Sequence, residues 1–170
     1  MNLSGIDYSR LYQLQDKVLS WFHESGYPFY LTGGTALGRF YLNHRLSEDL
    51  DFFLNNDPLY PRYVEEIKNK ITTHFSVDIE ASLFADDYTR FFILEEGIGL
   101  KVELINDVAY YAGTLNVYRY GKVDTPLNIL SNKLTSIIGR DEPKDAFDIL
   151  HIASSYSFNW QDIFYHAKQK

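Results

Sequence analysis

YLTGGTALGRFYLNHRLSEDLDFFL, residues 30–54, places a glycine turn and a pair of aspartates on either side of a short helical stretch. Residues 27–32 are aromatic and apolar and predict a strand that ends at the glycines. Residues 35–43 predict a helix, and residues 50–54 predict a second, buried strand. This order of elements would return the chain to a position beside the first strand.

The glycine turn has the composition of a phosphate-binding turn. Gly33 and Gly34 would let backbone N–H groups approach an anion, and the N-terminus of the following helix adds a favourable dipole. Thr35 adds a hydroxyl at the same place. The signal is weak by itself, because paired glycines are common at ordinary turns.

The aspartate pair predicts a metal site. Asp49 and Asp51 are two residues apart, so on a strand their side chains project from one face. Two neighbouring carboxylates repel each other unless a cation lies between them. Mg²⁺ prefers such oxygen ligands and keeps positions open for phosphate oxygens. The pattern therefore favours metal binding over a solvated acidic strand end, and it places the metal beside the phosphate turn.

The rest of the chain predicts one α+β domain over residues 1–170, with a core at about 27–125 and C-terminal helices at about 126–170. A helix precedes the opening stretch at residues 7–25, and another follows it from residue 56 to about 74. The remaining predicted strands are residues 76–84, 88–94, 98–105 and 117–123. The remaining predicted helices are residues 127–138, 143–154 and 160–168.

Composition limits the possible functions. The absence of cysteine excludes disulfides and thiolate metal sites, and the five histidines show no metal-ligand spacing. A formal net charge of −7 argues against a broad nucleic-acid surface. No signal-like start or membrane-length apolar run is visible, so we expect a cytoplasmic protein without a membrane partner. Residues 113–140 carry a local excess of positive charge. Asp124 is the one acidic residue there, and the basic residues are Arg119, Lys122, Lys133 and Arg140.

These motifs resemble those of a known family. GGTAL at residues 33–37, followed by HRLSEDLDFF at residues 44–53, resembles the first motif of the AbiEii/AbiGii-type nucleotidyltransferase toxins. These toxins belong to the DNA polymerase β-like nucleotidyltransferase superfamily. The resemblance implies a central mixed sheet flanked by helices, with a helical C-terminal part. The matching positions of the more particular toxin pattern are Arg45, Ser47, Asp49, Asp51 and Phe52.

A third carboxylate is expected from the same resemblance. The superfamily carries it on a neighbouring strand with apolar flanks, and Glu103 within residues 101–105 fits that description. A charged residue on a strand is more commonly a solvated position. Asp78, Glu80 and Asp107 remain rival candidates for this ligand.

The toxin pattern also implies two later site residues. Lys133 lies in an otherwise mostly apolar helix, where a lysine alone would commonly extend to water. The resemblance instead makes it a cation for the triphosphate. Asp145 and Asp148 share a helical face, and acids are ordinarily favoured in the first turns of a helix. The family pattern points to Asp145 more than to Asp148.

The implied activity is transfer of a nucleoside monophosphate from an NTP to an acceptor hydroxyl on RNA, such as tRNA, or on a protein. The cofactor would be Mg²⁺, with Mn²⁺ as a substitute, held by Asp49, Asp51 and Glu103. The nucleotide-binding residues would be Gly33, Gly34, Thr35, Arg45 and Lys133, and the catalytic residues Asp49, Asp51, Lys133 and Asp145. A cognate antitoxin is the implied partner. The alternatives are an antibiotic-type small-molecule nucleotidyltransferase and an inactive nucleotide-binding or partner-binding module.

Overall fold

A computed structural model describes residues 6–139 and 142–170, so Arg140 of the local basic excess lies outside the described residues. The described strands form one seven-stranded mixed sheet. They are β1 Tyr30–Thr32, β2 Leu50–Asn55, β3 Val77–Phe84, β4 Tyr88–Glu95, β5 Ile98–Asp107, β6 Asn116–Tyr118 and β7 Gly121–Val123. The helices are α1 Tyr8–Ser25, α2 Gly33–Ala36, α3 Tyr60–His74, α4 Pro126–Gly139, α5 Pro143–Ser155 and α6 Trp160–Lys168, with a π-helical segment, Leu37–Leu42, directly after α2.

The strand order is β3-β4-β5-β2-β1-β7-β6, which places β2 inside the sheet. β2 pairs antiparallel with β1 and parallel with β5. In this register Asp51 lies between Thr32 on one side and Glu103 on the other. The aspartate motif is thereby fixed by backbone hydrogen bonding to both neighbouring strands.

One face of the sheet carries the apolar core. Residues Leu50, Phe52 and Leu54 of β2 are buried, in alternation with the half-buried residues between them. Phe22 of α1 stacks on Phe52 with ring centroids 4.3 Å apart, and Tyr60 of α3 donates a hydrogen bond to the Leu104 carbonyl. The period-two burial of β2 therefore leaves Asp51 on the opposite face, toward α4.

The predicted α+β architecture is confirmed, with differences at the ends of elements. Helical structure begins at Gly33 rather than residue 35, and it ends before Asn43, whose φ is 48°. α3 begins at Tyr60 because Asp57 and its neighbours form a separate turn, in which the Asp57 carbonyl accepts from the Tyr60 N–H. The first strand is limited to Tyr30–Thr32.

The single strand predicted for residues 117–123 is wrong. Two short antiparallel strands, β6 and β7, form a hairpin there, and Tyr118 pairs with Gly121 across a two-residue turn. Gly121 has a φ of 101°, a backbone conformation that breaks an extended run. Among the described helices, none has the length and apolar character needed to cross a membrane.

Candidate active site

The two glycines after β1 bring the chain close to two charged side chains. Gly33 has a φ of 69°, and a Cβ on this residue would collide with Oδ2 of Asp51. A Cβ on Gly34 would collide with Nη2 of Arg45. The glycines are therefore needed for close approach as well as for backbone conformation, and they form one wall of a cleft that Asp51 and Arg45 also line.

Three of the six carboxylates that line this cleft, whose volume is about 230 Å³, lie on or directly before β2 and β5. Asp51 of β2 lies directly across from Glu103 of β5, and Asp49 immediately precedes β2. The ammonium of Lys101 lies 3.1 Å from Oδ2 of Asp49 and 3.2 Å from Oε1 of Glu103. Lys101 thus compensates part of the negative charge that the two strands bring together.

The proton affinities of these groups reflect their crowding. Burial, followed by the charges of Glu103 and Asp49, raises the pKa of Asp51 to about 7. Burial would also raise the pKa of Glu103, but the Tyr88 hydroxyl and Lys101 hold it below its ordinary value. In the metal-free protein, Glu103 therefore carries the charge while Asp51 retains a proton more readily.

The site fits a divalent cation by its chemistry. No ready-made group of three or more possible metal-ligating residues is found in the described part of the chain, and Lys101 occupies the space between Asp49 and Glu103. The donors nevertheless are all carboxylate oxygens, which Mg²⁺ prefers. Burial, and then the charges of Glu103 and Asp49, raise the pKa of Asp51, and a bound cation would relieve the repulsion among these carboxylates.

A network of buried charges adjoins the same cleft. Nζ of Lys133 on α4 lies 2.7 Å from Oδ1 of Asp145 and 2.7 Å from Oδ2 of Asp148, both on α5. Arg45 donates to both oxygens of Asp148, at 2.6 Å from Nε and 2.7 Å from Nη2. His44 Nε2 lies 2.6 Å from the same carboxylate. Asp148 therefore connects three basic residues and is fully buried.

Thr35 forms a hydrogen bond inside the protein. Its side chain is fully buried, and its hydroxyl donates a hydrogen bond to the backbone carbonyl of Asp49. Thr35 thereby holds the backbone of Asp49, and its contact with a nucleotide stays a prediction.

Some of the remaining residues predicted from the sequence line the cleft, and the others lie away from it. Lys133, Asp145 and Glu103 line the same cleft as the aspartate pair. Asp78 accepts a hydrogen bond from the backbone of Ala81 on the edge strand, Glu80 is exposed on the same strand, and Asp107 lies 3.8 Å from Lys170. Of the four candidates for a third carboxylate, Glu103 is the one beside Asp51.

Sequence reasoning assigned no role to Lys101 and His44, and it ranked Asp148 below Asp145. Lys101 shares a strand face with Glu103, so its alternation along β5 was a usable signal. Asp148 lies one helical turn after Asp145, but sequence alone favoured an ordinary surface acid there. His44 carried no signal, because its contact with Asp148 joins positions 104 residues apart.

The sequence matches a family model over most of its length. The model is described as nucleotidyl transferase AbiEii toxin, Type IV TA system, and it matches residues 19–167. All residues of the cleft described above fall inside this range. No curated protein matches the sequence.

Solved structures share the fold at low sequence identity. JHP933 from Helicobacter pylori is 22% identical, with a TM-score of 0.62, and the alignment covers 95% of this chain and 72% of that one. MenT4, a nucleotidyltransferase toxin from Mycobacterium tuberculosis H37Rv, is 18% identical, with a TM-score of 0.64 and coverages of 92% and 62%. The antibiotic-resistance factor ANT(2″)-Ia is 14% identical, with a TM-score of 0.59 and coverages of 96% and 91%.

Proposed function

We propose, from the premise that this chain belongs to the AbiEii family of nucleotidyltransferase toxins, that it transfers a nucleoside monophosphate from an NTP to an acceptor hydroxyl. The observation that carries the proposal is the pairing of Asp51 with Glu103 on adjacent strands, beside the Gly33 turn. Lys133 lines the same cleft. Carboxylates for a cation and an ammonium for phosphate oxygens are thereby brought to one place.

Asp49, Asp51 and Glu103 would hold the divalent cation, Mg²⁺ or Mn²⁺. When bound, such a cation neutralises charge on phosphoryl oxygens and favours deprotonation of an acceptor hydroxyl. Before it binds, Lys101 balances the charge of Asp49 and Glu103. Thr35 fixes the backbone of Asp49 through its hydroxyl, which keeps this carboxylate at the mouth of the turn.

The triphosphate would lie beside the Gly33–Gly34 turn, within reach of Arg45 and Lys133. The backbone of a glycine turn can approach phosphate oxygens closely because no side chain intervenes. Lys133 and Arg45 are held by Asp145 and Asp148. Side chains fixed before substrate binds need little reorganisation when negative charge develops on the departing pyrophosphate.

The family supports a toxin role, and we propose a cognate antitoxin as partner and an RNA, such as tRNA, or a protein as acceptor. MenT4, similar in fold, is itself named a nucleotidyltransferase toxin. An antibiotic-type small-molecule acceptor is the second candidate. Six acidic residues line the cleft against four basic ones, which suits a cationic acceptor, and ANT(2″)-Ia is named an antibiotic-resistance factor. An inactive nucleotide-binding or partner-binding module is the third.

Labelling separates these candidates. The protein would be incubated with Mg²⁺ and each α-³²P-labelled NTP, in turn with tRNA, total RNA, a protein extract and aminoglycosides. We expect label in RNA or protein. Asp51→Asn should lose about 10²-fold or more in rate, while Asp86→Asn, at an exposed turn, should retain the full rate.

Each other result has a definite meaning. Label in aminoglycosides alone supports the small-molecule enzyme. Nucleotide binding without label in any acceptor supports the inactive module. Wild-type turnover by a folded Asp51→Asn would overturn the proposed mechanism, because the carboxylate at its centre would then be dispensable.

A further inference from the structure

A second cavity, of about 260 Å³, adjoins the cleft and lies between α4 and the sheet. It shares Gly33, Asp51, Glu103 and Lys133 with the cleft, so the two spaces meet at the proposed triphosphate site. Beyond these shared residues, its apolar walls come from Phe53 of β2, Ile105 of β5 and Ile129 of α4, and its polar walls from Thr32, Asn132 and Ser136.

One polar side chain in this cavity has no partner. Asn132 lies on α4 immediately before Lys133, and both its amide nitrogen and its amide oxygen are buried without a hydrogen bond within residues 6–139 and 142–170. Ser136, one turn later, donates its hydroxyl to the Asn132 backbone carbonyl and leaves the amide unsatisfied. Buried amides in native proteins are nearly always paired, so this one calls for a ligand.

The surroundings define the ligand's chemistry. It must have apolar faces for Phe53, Ile105 and Ile129, together with an edge that offers a donor and an acceptor to one carboxamide. It must also continue into a group that reaches Gly33 and Lys133. A nucleobase has apolar faces, and each of the four bases presents a donor next to an acceptor on its hydrogen-bonding edge. A ribose presents hydroxyls on most sides and fits apolar walls less well.

We infer that this cavity binds the base of the nucleotide substrate and that Asn132 recognises the base edge through its carboxamide. The inference rests on the proposed nucleotidyl transfer, and it adds a specificity-determining residue to that site. Lys133 and Asn132 are consecutive in α4, so one turn of helix would present a cation to the phosphates and an amide to the base of the same molecule.

The test exploits the different hydrogen-bonding capacity of aspartate. A carboxylate accepts hydrogen bonds but donates none. Guanine alone presents two adjacent donors on its Watson–Crick edge, so Asn132→Asp should shift preference toward GTP. We expect the ratio of kcat/KM for GTP to that for each other NTP to rise about 10-fold or more. Asn132→Ala should bring the four NTPs closer together. Asn69→Asp, an exposed asparagine on α3, should change nothing.

Binding measurements make the test independent of turnover. Inorganic tripolyphosphate with Mg²⁺ should bind Asn132→Ala as it binds the wild type, because it has no base, whereas NTP binding should weaken. Unchanged base ratios in folded Asn132→Asp would overturn the inference. So would a change confined to discrimination between NTPs and dNTPs, which would assign Asn132 to the ribose. If the wild type binds nucleotides with Asn132-dependent base preference but labels no acceptor, the proposed activity fails while the base pocket stands.

Discussion

At the residue scale, Gly33 and Asp51 leave no room for a side chain between them. Gly33→Ala adds a Cβ that collides with the Asp51 carboxylate. The added methyl should displace Asp51 and abolish the Mg²⁺-dependent rise in melting temperature. Gly26→Ala is a matched control, because Gly26 has a similar φ of 71° and open space around it. Both variants should lose stability from the backbone conformation, so melting curves with and without MgCl₂ would isolate the steric effect. An intact Mg²⁺ response in Gly33→Ala would contradict this view.

Lys101 competes with any cation for the carboxylates of Asp49 and Glu103. Lys101→Met removes the ammonium and keeps much of the apolar stem. The metal-free variant should melt lower than the wild type because three acids then repel one another, and MgCl₂ should raise its melting temperature by more. Lys17→Met removes an exposed partner of Glu95 and should leave the Mg²⁺ response unchanged. Equal responses in the wild type and Lys101→Met would show that Lys101 does not oppose metal binding.

The pKa of Asp51, raised to about 7, makes the metal-free protein sensitive to pH. Between about pH 4 and 7 the folded chain binds this proton more tightly than the unfolded chain, so stability falls as pH rises. Asp51→Asn removes the ionisable group, so its stability should lack this pH-dependent contribution. With EDTA present, its melting temperature relative to the wild type should therefore increase from pH 5 to pH 8. If the difference in melting temperature between Asp51→Asn and the wild type stayed constant from pH 5 to pH 8, the group that titrates would not be Asp51.

The residues of the cleft were predictable to different degrees. Asp49, Asp51 and the two glycines carry a local motif, so sequence spacing alone indicated them. Glu103 and Lys133 became candidates only through the family resemblance, which the family match confirms. Lys101 could have been found from its alternation with Glu103 along β5. His44 and Asn132 depend on what tertiary packing brings beside them, and no local sequence pattern indicates that.

At the element scale, Asp148 of α5 joins this helix to Lys133 of α4 and to Arg45, which follows the π-helical segment. Asp148→Asn should destabilise the protein by about 3–5 kcal/mol, because it leaves buried cations without a full counter-charge. Urea denaturation at pH 7 would measure the loss. Asp86→Asn, exposed in a turn, should cost little. A loss as small as that of the control would mean that the buried network does not hold these elements together.

The same variant should show a distinct pH dependence. Burial would raise the pKa of Asp148, but Arg45 and Lys133 hold it far below its ordinary value. A depressed pKa contributes stability above the unfolded-state value near 4, and this contribution is lost as the pH falls toward the folded-state value. The stability difference between the wild type and Asp148→Asn should therefore be largest at neutral pH and smaller at pH 3.

The positions of most helices and strands were predictable, because their apolar residues recur in the sequence at helical or strand spacing. Asp7 caps α1 through its carboxylate, and Gly26 ends it in a left-handed conformation. The β6–β7 hairpin escaped prediction because its two strands have only three residues each. The π-helical conformation of residues 37–42 was also not predicted, because their apolar pattern is that of an ordinary helix.

At the scale of the whole molecule, the net charge of −7 limits how an RNA acceptor can be held. Four basic residues line the cleft. Arg45 and Lys133 are assigned to the triphosphate and Lys101 is paired with Asp49, which leaves Lys144 for a phosphate of the RNA. We expect RNA labelling to fall by less than about 10-fold between 50 and 200 mM KCl, at saturating NTP. A protein with six to ten phosphate contacts would lose about 10³–10⁵-fold in affinity. A loss of that size would reveal a basic surface that the charge distribution does not suggest.

The ion pair between Arg45 and Asp148 spans 103 positions of the chain, and this has a consequence during translation. At about 5–20 residues per second, a ribosome needs roughly 5–20 s to proceed from one residue to the other. For that interval the nascent polypeptide contains the aspartate motif but lacks the carboxylate that orients Arg45 and Lys133. An incomplete chain that ends before α5 therefore lacks the ion pairs that complete the cleft.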